Sequence, residues 1–330
     1  TDKNIDLLLK QIKTFKVKNV VVTNKKKNEI LKKKLKNINV FSDFKDLDKK
    51  IKNKADYAMS AISGLEGLRP TLKIIKKTKR IAIANKESII CGWELIQKEM
   101  KKYKTEFIPV DSEHFSIWSV IKDYDRSDIE KIILTASGGP FLNKKIKKNT
   151  KIEDAINHPN WQMGKKISVD SATLMNKIFE IIEAKKIFDI ELKKFDILVH
   201  PKSYIHAIIK LKNGLIKIVA HDTDMRIPIF NSIYIGSVNK KFIRSKKIDL
   251  DILNSLNLQK VNENKFPVIK ILDKLSKKNS LFETVLVSIN DELVSLFLKN
   301  KIRFLDISSK ICHLINLPIF SKFKHQKPKN

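Results

Sequence analysis

Ser168-Val169-Asp170-Ser171-Ala172-Thr173-Leu174-Met175-Asn176-Lys177-Ile178-Phe179-Glu180 gathers polar and ionisable groups into what reads as the start of a helix. Asp170, Ser171 and Thr173 are helix-starting residue types, so backbone N–H groups and a positive dipole end are expected beside Ser171, with Asn176 and Lys177 one turn further on. A phosphate suits such a place. Asn176 and Glu180 are four apart and share a helix face, which brings a carboxylate into the same pocket. The segment reads equally as an ordinary capped helix with a solvated polar side, so the flanking sequence has to decide.

Toward the N-terminus, short β-rich runs alternate with helical patterns. Strands are expected over 17–23, 39–41, 56–62, 80–84 and 106–110, and helices over 4–15, 26–36, 65–77 and 87–103. This βαβ repetition predicts a parallel sheet of the nucleotide-binding kind, although no G-x-G-x-x-G occurs. Beyond Val110 the pattern becomes an α+β mixture, with strands over 131–135 and 196–200 and a hairpin over 205–220 turning at Asn213-Gly214. From Phe266 onward, apolar residues at helical spacing over 268–275, 281–298 and 307–315 predict a closing helical bundle. The polar run 322–330 reads as a linker or surface loop. The fold class is therefore α/β: an incomplete Rossmann-like domain over 1–110, an α+β catalytic domain over 111–255 and a truncated C-terminal helical domain over 256–330.

A net charge of +31 invites a nucleic-acid reading, but of 67 basic residues only six are arginine. Lysine is spread along the chain with abundant Ile and Asn, and neither arginine forks nor aromatic platforms cluster, so no nucleic-acid partner is expected. The positive field still draws in anionic substrates. No segment has the length and apolarity of a membrane span and no secretory signal is visible, which predicts a cytoplasmic protein without a membrane partner. Cys91 and Cys312, each in an apolar helical context, read as reduced, buried thiols.

Asp111-Ser112-Glu113-His114 follows an apolar strand, where active-site residues often leave an α/β sheet. In extended backbone Asp111 and Glu113 point the same way and can bind one cation together. With Glu180 they make three carboxylate ligands, a set for Mg²⁺ or Mn²⁺. An acidic pair at a helix start is also a common cap. Glycine is scarce, 8 in 330, so the pair in Ser137-Gly138-Gly139 marks a tight loop, which reads equally as a second anion contact or as a plain turn. His158-Pro159-Asn160-Trp161-Gln162-Met163-Gly164 joins a histidine, an aromatic ring and a glycine without clean periodicity, and reads as a lid around 158–164.

Together with Ala84-Asn85-Lys86-Glu87-Ser88, Ser137-Gly138-Gly139-Pro140-Phe141, the run from Met163-Gly164-Lys165-Lys166 to Thr173, and His200-Pro201-Lys202-Ser203, these motifs strongly resemble the 1-deoxy-D-xylulose 5-phosphate reductoisomerase family, in order and spacing over essentially the whole chain. The resemblance implies an NADPH-dependent oxidoreductase and isomerase of the non-mevalonate isoprenoid pathway, converting 1-deoxy-D-xylulose 5-phosphate to 2-C-methyl-D-erythritol 4-phosphate with Mn²⁺ or Mg²⁺. It makes Asp111, Glu113 and Glu180 the metal ligands. Lys86, Ser112 and Glu113 would meet the hydroxyl and keto region, and Ser137, Ser171, Asn176 and Lys177 the phosphate. His158, Trp161 and Met163 belong to the lid, with His158 touching substrate. Lys3, Asn4, Asn85, Glu87 and Gly164 fall where the family contacts NADPH, and His206 lies near the pocket. The family is usually a homodimer.

The family's loop of the form G-S-T-G-S-I-G is absent, and the last helices of the bundle are not visible, so the sequence reads as a piece of a longer enzyme. Ile178 stands where the family carries Gly. A related metal-dependent oxidoreductase and a non-catalytic metal- and phosphate-binding fragment are the alternative readings.

Overall fold

The computed structural model describes residues 4–46, 52–235, 243 and 247–327. The βαβ expectation is met in two pieces. Strands β1 (Asn19–Val21) and β2 (Asn39–Phe41) pair in parallel, flanked by helices α1 (Ile5–Phe15) and α2 (Lys25–Lys34). Strands β3 (Ala58–Ser60), β4 (Arg80–Ile83) and β5 (Glu106–Pro109) form a second parallel sheet, crossed by α3 (Leu68–Ile75) and α4 (Lys86–Tyr103). Three- and four-residue strands carry few ladder bonds, so what separates the sheets is packing. Ile12, Val20, Val22, Leu31 and Val40 make one small core, and Ile75, Ile81, Ile83, Ile89, Trp93 and Ile96 make another.

After α5 (Ser112–Ile121) comes a five-stranded sheet, separate from the first two as its composition predicted. It contains β6 (Ile129–Ala136), β7 (Phe195–Val199), β8 (Ile205–Leu211), β9 (Ile216–Ala220) and β10 (Gln259–Lys260), in the order β10-β7-β6-β8-β9. Only β6 and β7 run parallel within it. The β8–β9 hairpin turns at Asn213-Gly214, where Gly214 takes a φ of 88° and Leu215 donates its N–H to Asn213 Oδ1. Between β6 and β7 lie α6 (Ile152–Ile156), α7 (Lys165–Thr173) and α8 (Met175–Phe188).

Near the C-terminus, α9 (Arg226–Tyr234) and α10 (Leu250–Asn254) precede α11 (Phe282–Leu298), α12 (Phe304–Leu314) and α13 (Pro318–Ser321). Two expectations change here. The apolar run 268–275 is a 3₁₀ helix over Pro267–Lys274, opened by a proline and longer than that geometry usually runs. Lys322–His325 is also a 3₁₀ turn and not a loose linker. Lys324 lies over the Phe282 ring, and Gln326 accepts a hydrogen bond from the Leu281 N–H. These closing helices share one large core with the five-stranded sheet and α8, including Ile132, Leu134, Ile178, Ile182, Phe282 and Ile311. Ile178 is fully buried there, so its β-branched side chain is accommodated by core packing. Both cysteines are free but only half-buried, less enclosed than predicted. Among the described residues no helix is long and apolar enough to cross a membrane.

Candidate functional site

The opening segment is not one helix start. α7 ends at Thr173, Leu174 turns into left-handed backbone (φ 65°, ψ 7°), and α8 begins at Met175. Ser171 therefore sits in a last turn, while Asn176 and Lys177 occupy the first turn of α8, which has no side-chain cap. The helix-starting residues of the sequence instead close α7. Leu174 tolerates its disfavoured conformation because its side chain is buried in the large core, 2% exposed. The break also brings α7 against the loop after β6. Gly138 and Gly139 have φ values of 80° and 65°, and a Cβ on Gly139 would stand 2.9 Å from the Ser171 carbonyl oxygen.

Asp111 and Glu113 do not converge through extended backbone. Asp111 is the N-cap of α5, accepting from the Glu113 N–H at 3.3 Å, and Glu113 lies in the first turn. The cap and the ligand pair are thus the same structure. Carboxylate oxygens of Asp111, Glu113 and Glu180 all lie within 4.8 Å of one another. Two ammonium groups interleave them. Lys177 pairs with Glu113 at 2.7 Å and with Glu180, and Lys86 pairs with Asp111, with Glu180 at 3.6 Å and with Glu183 at 3.5 Å. Asn176 donates to Glu180 Oε1, as their spacing of four predicted.

The electrostatics follow from this crowding. Burial opposes ionisation of Asp111, but Lys86 and His114 outweigh it and hold the carboxyl well below the usual carboxylate range. Glu113 is likewise lowered, against its burial, by Lys177. Glu180 goes the other way, pushed up to about 7 by burial and by the charge of Glu113. His114 is raised to about 9, because Glu183 and Asp111 overcome its desolvation. Its Nε2–H donates to the Glu180 carbonyl at 2.8 Å and its Nδ1 lies 3.3 Å from Asp111 Oδ1, tying the two carboxylate-bearing helices together. Four carboxylates face two lysines, and two of the carboxylates, Glu180 and Glu183, resist ionisation because they are buried. An all-oxygen set with excess negative charge fits a hard divalent cation.

Asp111, Glu113, Glu180, Lys86, Asn176 and Lys177 line a cavity of ≈ 530 Å³. It also takes in Ser112, Ser137, Ser171, Gly164, Trp161, Met163 and His206, together with Ala61 to Ser63 and Ala84 to Glu87 at the C-terminal ends of β3 and β4. Crevices at the carboxyl ends of parallel strands are where nucleotides bind in open α/β sheets, so this wall fits a dinucleotide. The 157–164 stretch has neither helix nor strand, as its sequence suggested. His158 Nδ1 accepts from the Asn160 and Trp161 N–H groups at 3.1 and 3.0 Å, which leaves the proton on Nε2 to be donated to Ser137 Oγ at 2.8 Å. Burial lowers its pKa to about 4, in keeping with a neutral ring.

Two cofactor expectations fare differently. Asn4 caps α1, accepting from the Leu7 N–H at 2.9 Å, and is not among the cavity residues; Lys3 lies outside the described residues. Asn85 lines the cavity, but its side chain caps α4 through the Ser88 N–H and donates to the Ile62 and Gly64 carbonyls. Sequence reasoning gave no role to His114, Glu183 or the Asn290-Asp291 pair of α11. Glu183 is one turn from Glu180, and Asn290-Asp291 interrupts an apolar helix, so both carried a signal in their spacing.

Comparison with known proteins agrees along the whole chain. Residues 1–92 match the family model for 1-deoxy-D-xylulose 5-phosphate reductoisomerase, 107–188 its C-terminal domain, and 221–330 the DXP reductoisomerase C-terminal domain. The chain is similar to the 1-deoxy-D-xylulose 5-phosphate reductoisomerase of Pelagibacter ubique, at 58% identity over 100% of this chain and 86% of that protein. It is 37% identical to that of a Sulfurihydrogenibium species, over 97% of this chain and 82% of the relative. A solved structure of the Zymomonas mobilis enzyme in complex with NADPH superposes with a TM-score of 0.87 at 30% identity, covering 100% of this chain and 85% of that one. A DOX-P reductoisomerase in complex with NADPH, fosmidomycin and magnesium gives 0.85 at 29% identity, over 99% and 83%. With three domain models of one family matched along the chain and a relative 58% identical over all of this chain, the chain belongs to the 1-deoxy-D-xylulose 5-phosphate reductoisomerase family.

Proposed function

We infer that the cavity carries out the NADPH-dependent rearrangement and reduction of 1-deoxy-D-xylulose 5-phosphate to 2-C-methyl-D-erythritol 4-phosphate, with Asp111, Glu113 and Glu180 holding Mg²⁺ or Mn²⁺. The observation that carries the residue assignment is the convergence of these three carboxylates beside the α7–α8 break. When bound, the cation supplies Lewis-acid polarisation of the substrate carbonyl and NADPH supplies the hydride. Lys86, Ser112 and Glu113 orient the keto and hydroxyl end. Ser171, Asn176 and Lys177 hold the phosphate, Lys177 exchanging carboxylate partners for it. Ser137 receives two hydrogen bonds, from His158 and from the Gly139 N–H, so its own proton is free to point at a phosphate oxygen. Trp161 and Met163 close over the substrate and exclude water, which spends remote phosphate binding energy on enclosure.

Glu87, Gly164 and the backbone at Asn85 form the NADPH side. On this reading 1–110 is the cofactor domain, 111–255 the catalytic domain and 256–330 its helical support. The reaction is cytoplasmic, where free thiols such as Cys91 stay reduced. A homodimer is supported by the edge strand β9, which leaves Ile216 and Ile218 60% and 48% exposed. A single monomeric species in sedimentation would remove that assignment. The activity test is NADPH oxidation on addition of 1-deoxy-D-xylulose 5-phosphate to the purified protein, lost in chelator, restored by Mg²⁺ or Mn²⁺ and blocked by fosmidomycin. Turnover unaffected by chelator would remove the carboxylate trio from the mechanism.

A further inference from the structure

Lys166 has no part in the chemistry above, yet it joins three segments distant in sequence. Its ammonium lies 2.7 Å from Glu87 Oε1, 2.9 Å from Asp291 Oδ1 and 3.3 Å from Asp170 Oδ2. Glu87 is the second residue of α4, on the NADPH wall. Asp170 belongs to α7, one residue before Ser171, and is 2% exposed. Asp291 belongs to α11 of the C-terminal helices, and its neighbour Asn290, fully buried, donates from Nδ2 to Asp170 Oδ1 at 2.8 Å. One cation thus serves three carboxylates from three parts of the chain. Removing it leaves like charges facing each other in partly desolvated surroundings, which drives them apart. Asp170 and Asp291 are each raised by burial, with Lys166 the main group opposing that rise.

Gly164 and Lys165 leave only a two-residue step from the lid to this ammonium. Lys166 therefore anchors the lid's C-terminal end, fixes the Glu87 carboxylate and holds the helix that carries Ser171. We propose that Lys166 is a positioning residue that clamps the NADPH-side wall, through Glu87, to the phosphate-side wall of the same cavity. This rests on the reading that Glu87 contacts NADPH. Lys166→Met is then expected to weaken NADPH binding by about tenfold and to raise the substrate KM more than it lowers kcat. Lys166→Arg, which keeps the charge, is expected to recover most of the affinity.

The test measures NADPH affinity by titration of the protein without substrate, for the parent, Lys166→Met, Glu87→Gln and the double variant. Mn²⁺ binding serves as a check that the carboxylate trio is intact. The expected result is non-additive: each single variant weakens NADPH binding and the double variant is no weaker than the worse of the two. Additive losses overturn the clamp, because Lys166 would then act independently of Glu87. Glu87→Gln without effect removes the Glu87 contact and the inference with it, whereas a weakened Glu87→Gln beside an unaffected Lys166→Met removes the clamp alone. Should Lys166→Met fail to fold, Lys166→Gln, which keeps a donor of similar reach, takes its place in the same cycle.

Discussion

Glu180→Gln separates the cost of the metal site from its use. The folded chain holds the Glu180 carboxyl at about 7, against 4.5 for an unperturbed group, because it is buried beside Glu113. The unfolded chain ionises it near 4.5, so stability present below that pH is lost as pH rises through 7, a cost of about 3 kcal/mol above it. Glutamine has no charge to desolvate. In chelator at pH 8 the variant is therefore expected to unfold at higher urea than the parent, by a few kcal/mol, with the two converging toward pH 4.5. Mg²⁺ at a hundredfold excess over its Kd adds about 2.7 kcal/mol to the parent and little to the variant, erasing that advantage. The kcat/KM is expected to fall on the order of a thousandfold, since a cation lacking one of three protein ligands is misplaced for polarising a carbonyl. Urea titrations at pH 5 and pH 8, with chelator and with Mg²⁺, give four stabilities for each of the two proteins. A variant less stable than the parent at pH 8 in chelator, or one stabilised equally by Mg²⁺, would refute the reasoning.

Gly139→Ala is expected to cost roughly 2–4 kcal/mol and to raise the substrate KM, because a left-handed backbone and the nearby Ser171 carbonyl leave no room for a Cβ; denaturant unfolding with steady-state kinetics checks both, and a neutral variant would place the loop elsewhere. His158 and His206, both lowered to about 4 by burial, contribute stability that is present above pH 6.5 and lost as pH falls through 4. Replacing either with Gln should flatten the acid limb of the stability profile, and an unchanged limb would mean that the ring titrates alike in the folded and unfolded chains. Fosmidomycin should raise the melting temperature only when Mg²⁺ or Mn²⁺ is present, and equal protection in chelator would show that the phosphate-side residues alone hold it.

Much of the site was legible because its logic is local. Asn176 and Glu180 share a face by spacing alone, the hairpin at Asn213-Gly214 follows from turn chemistry, and a carboxylate trio names its cation by ligand hardness. What was not legible is long-range or disfavoured. Leucine is a poor residue for left-handed backbone, so nothing local announces the break at Leu174; only the core that swallows its side chain makes it stable. Lys177 looked like a phosphate ligand; Glu180 lies three residues along the same helix, but the pairing with Glu113 became visible only when α5 and α8 met. The Asp111-Glu113 pair converged for a reason other than strand alternation, since a capping aspartate and a first-turn glutamate also face the same way. Asn290 sits 120 residues from Asp170 in sequence, beyond any pattern a window can read.

The three separate cores make the molecule uneven in how it comes apart. α4 straddles two of them, giving Ile89, Trp93 and Ile96 to the three-stranded sheet and Ile90 to the large core, so those two units are mechanically joined. Among the described residues, the β1–β2 unit rests on Ile12, Val20, Val22, Leu31 and Val40 and their half-buried neighbours. Its amides should exchange with solvent through local openings well below the free energy of global unfolding, while those of β6 and β8 exchange only when the whole chain opens. The earliest species on warming is then expected to be a chain whose carboxylate pocket is intact while the β1–β2 unit is open. Such a species keeps Asp111, Glu113 and Glu180 together and exposes the parallel edges of β1 and β2 to other chains.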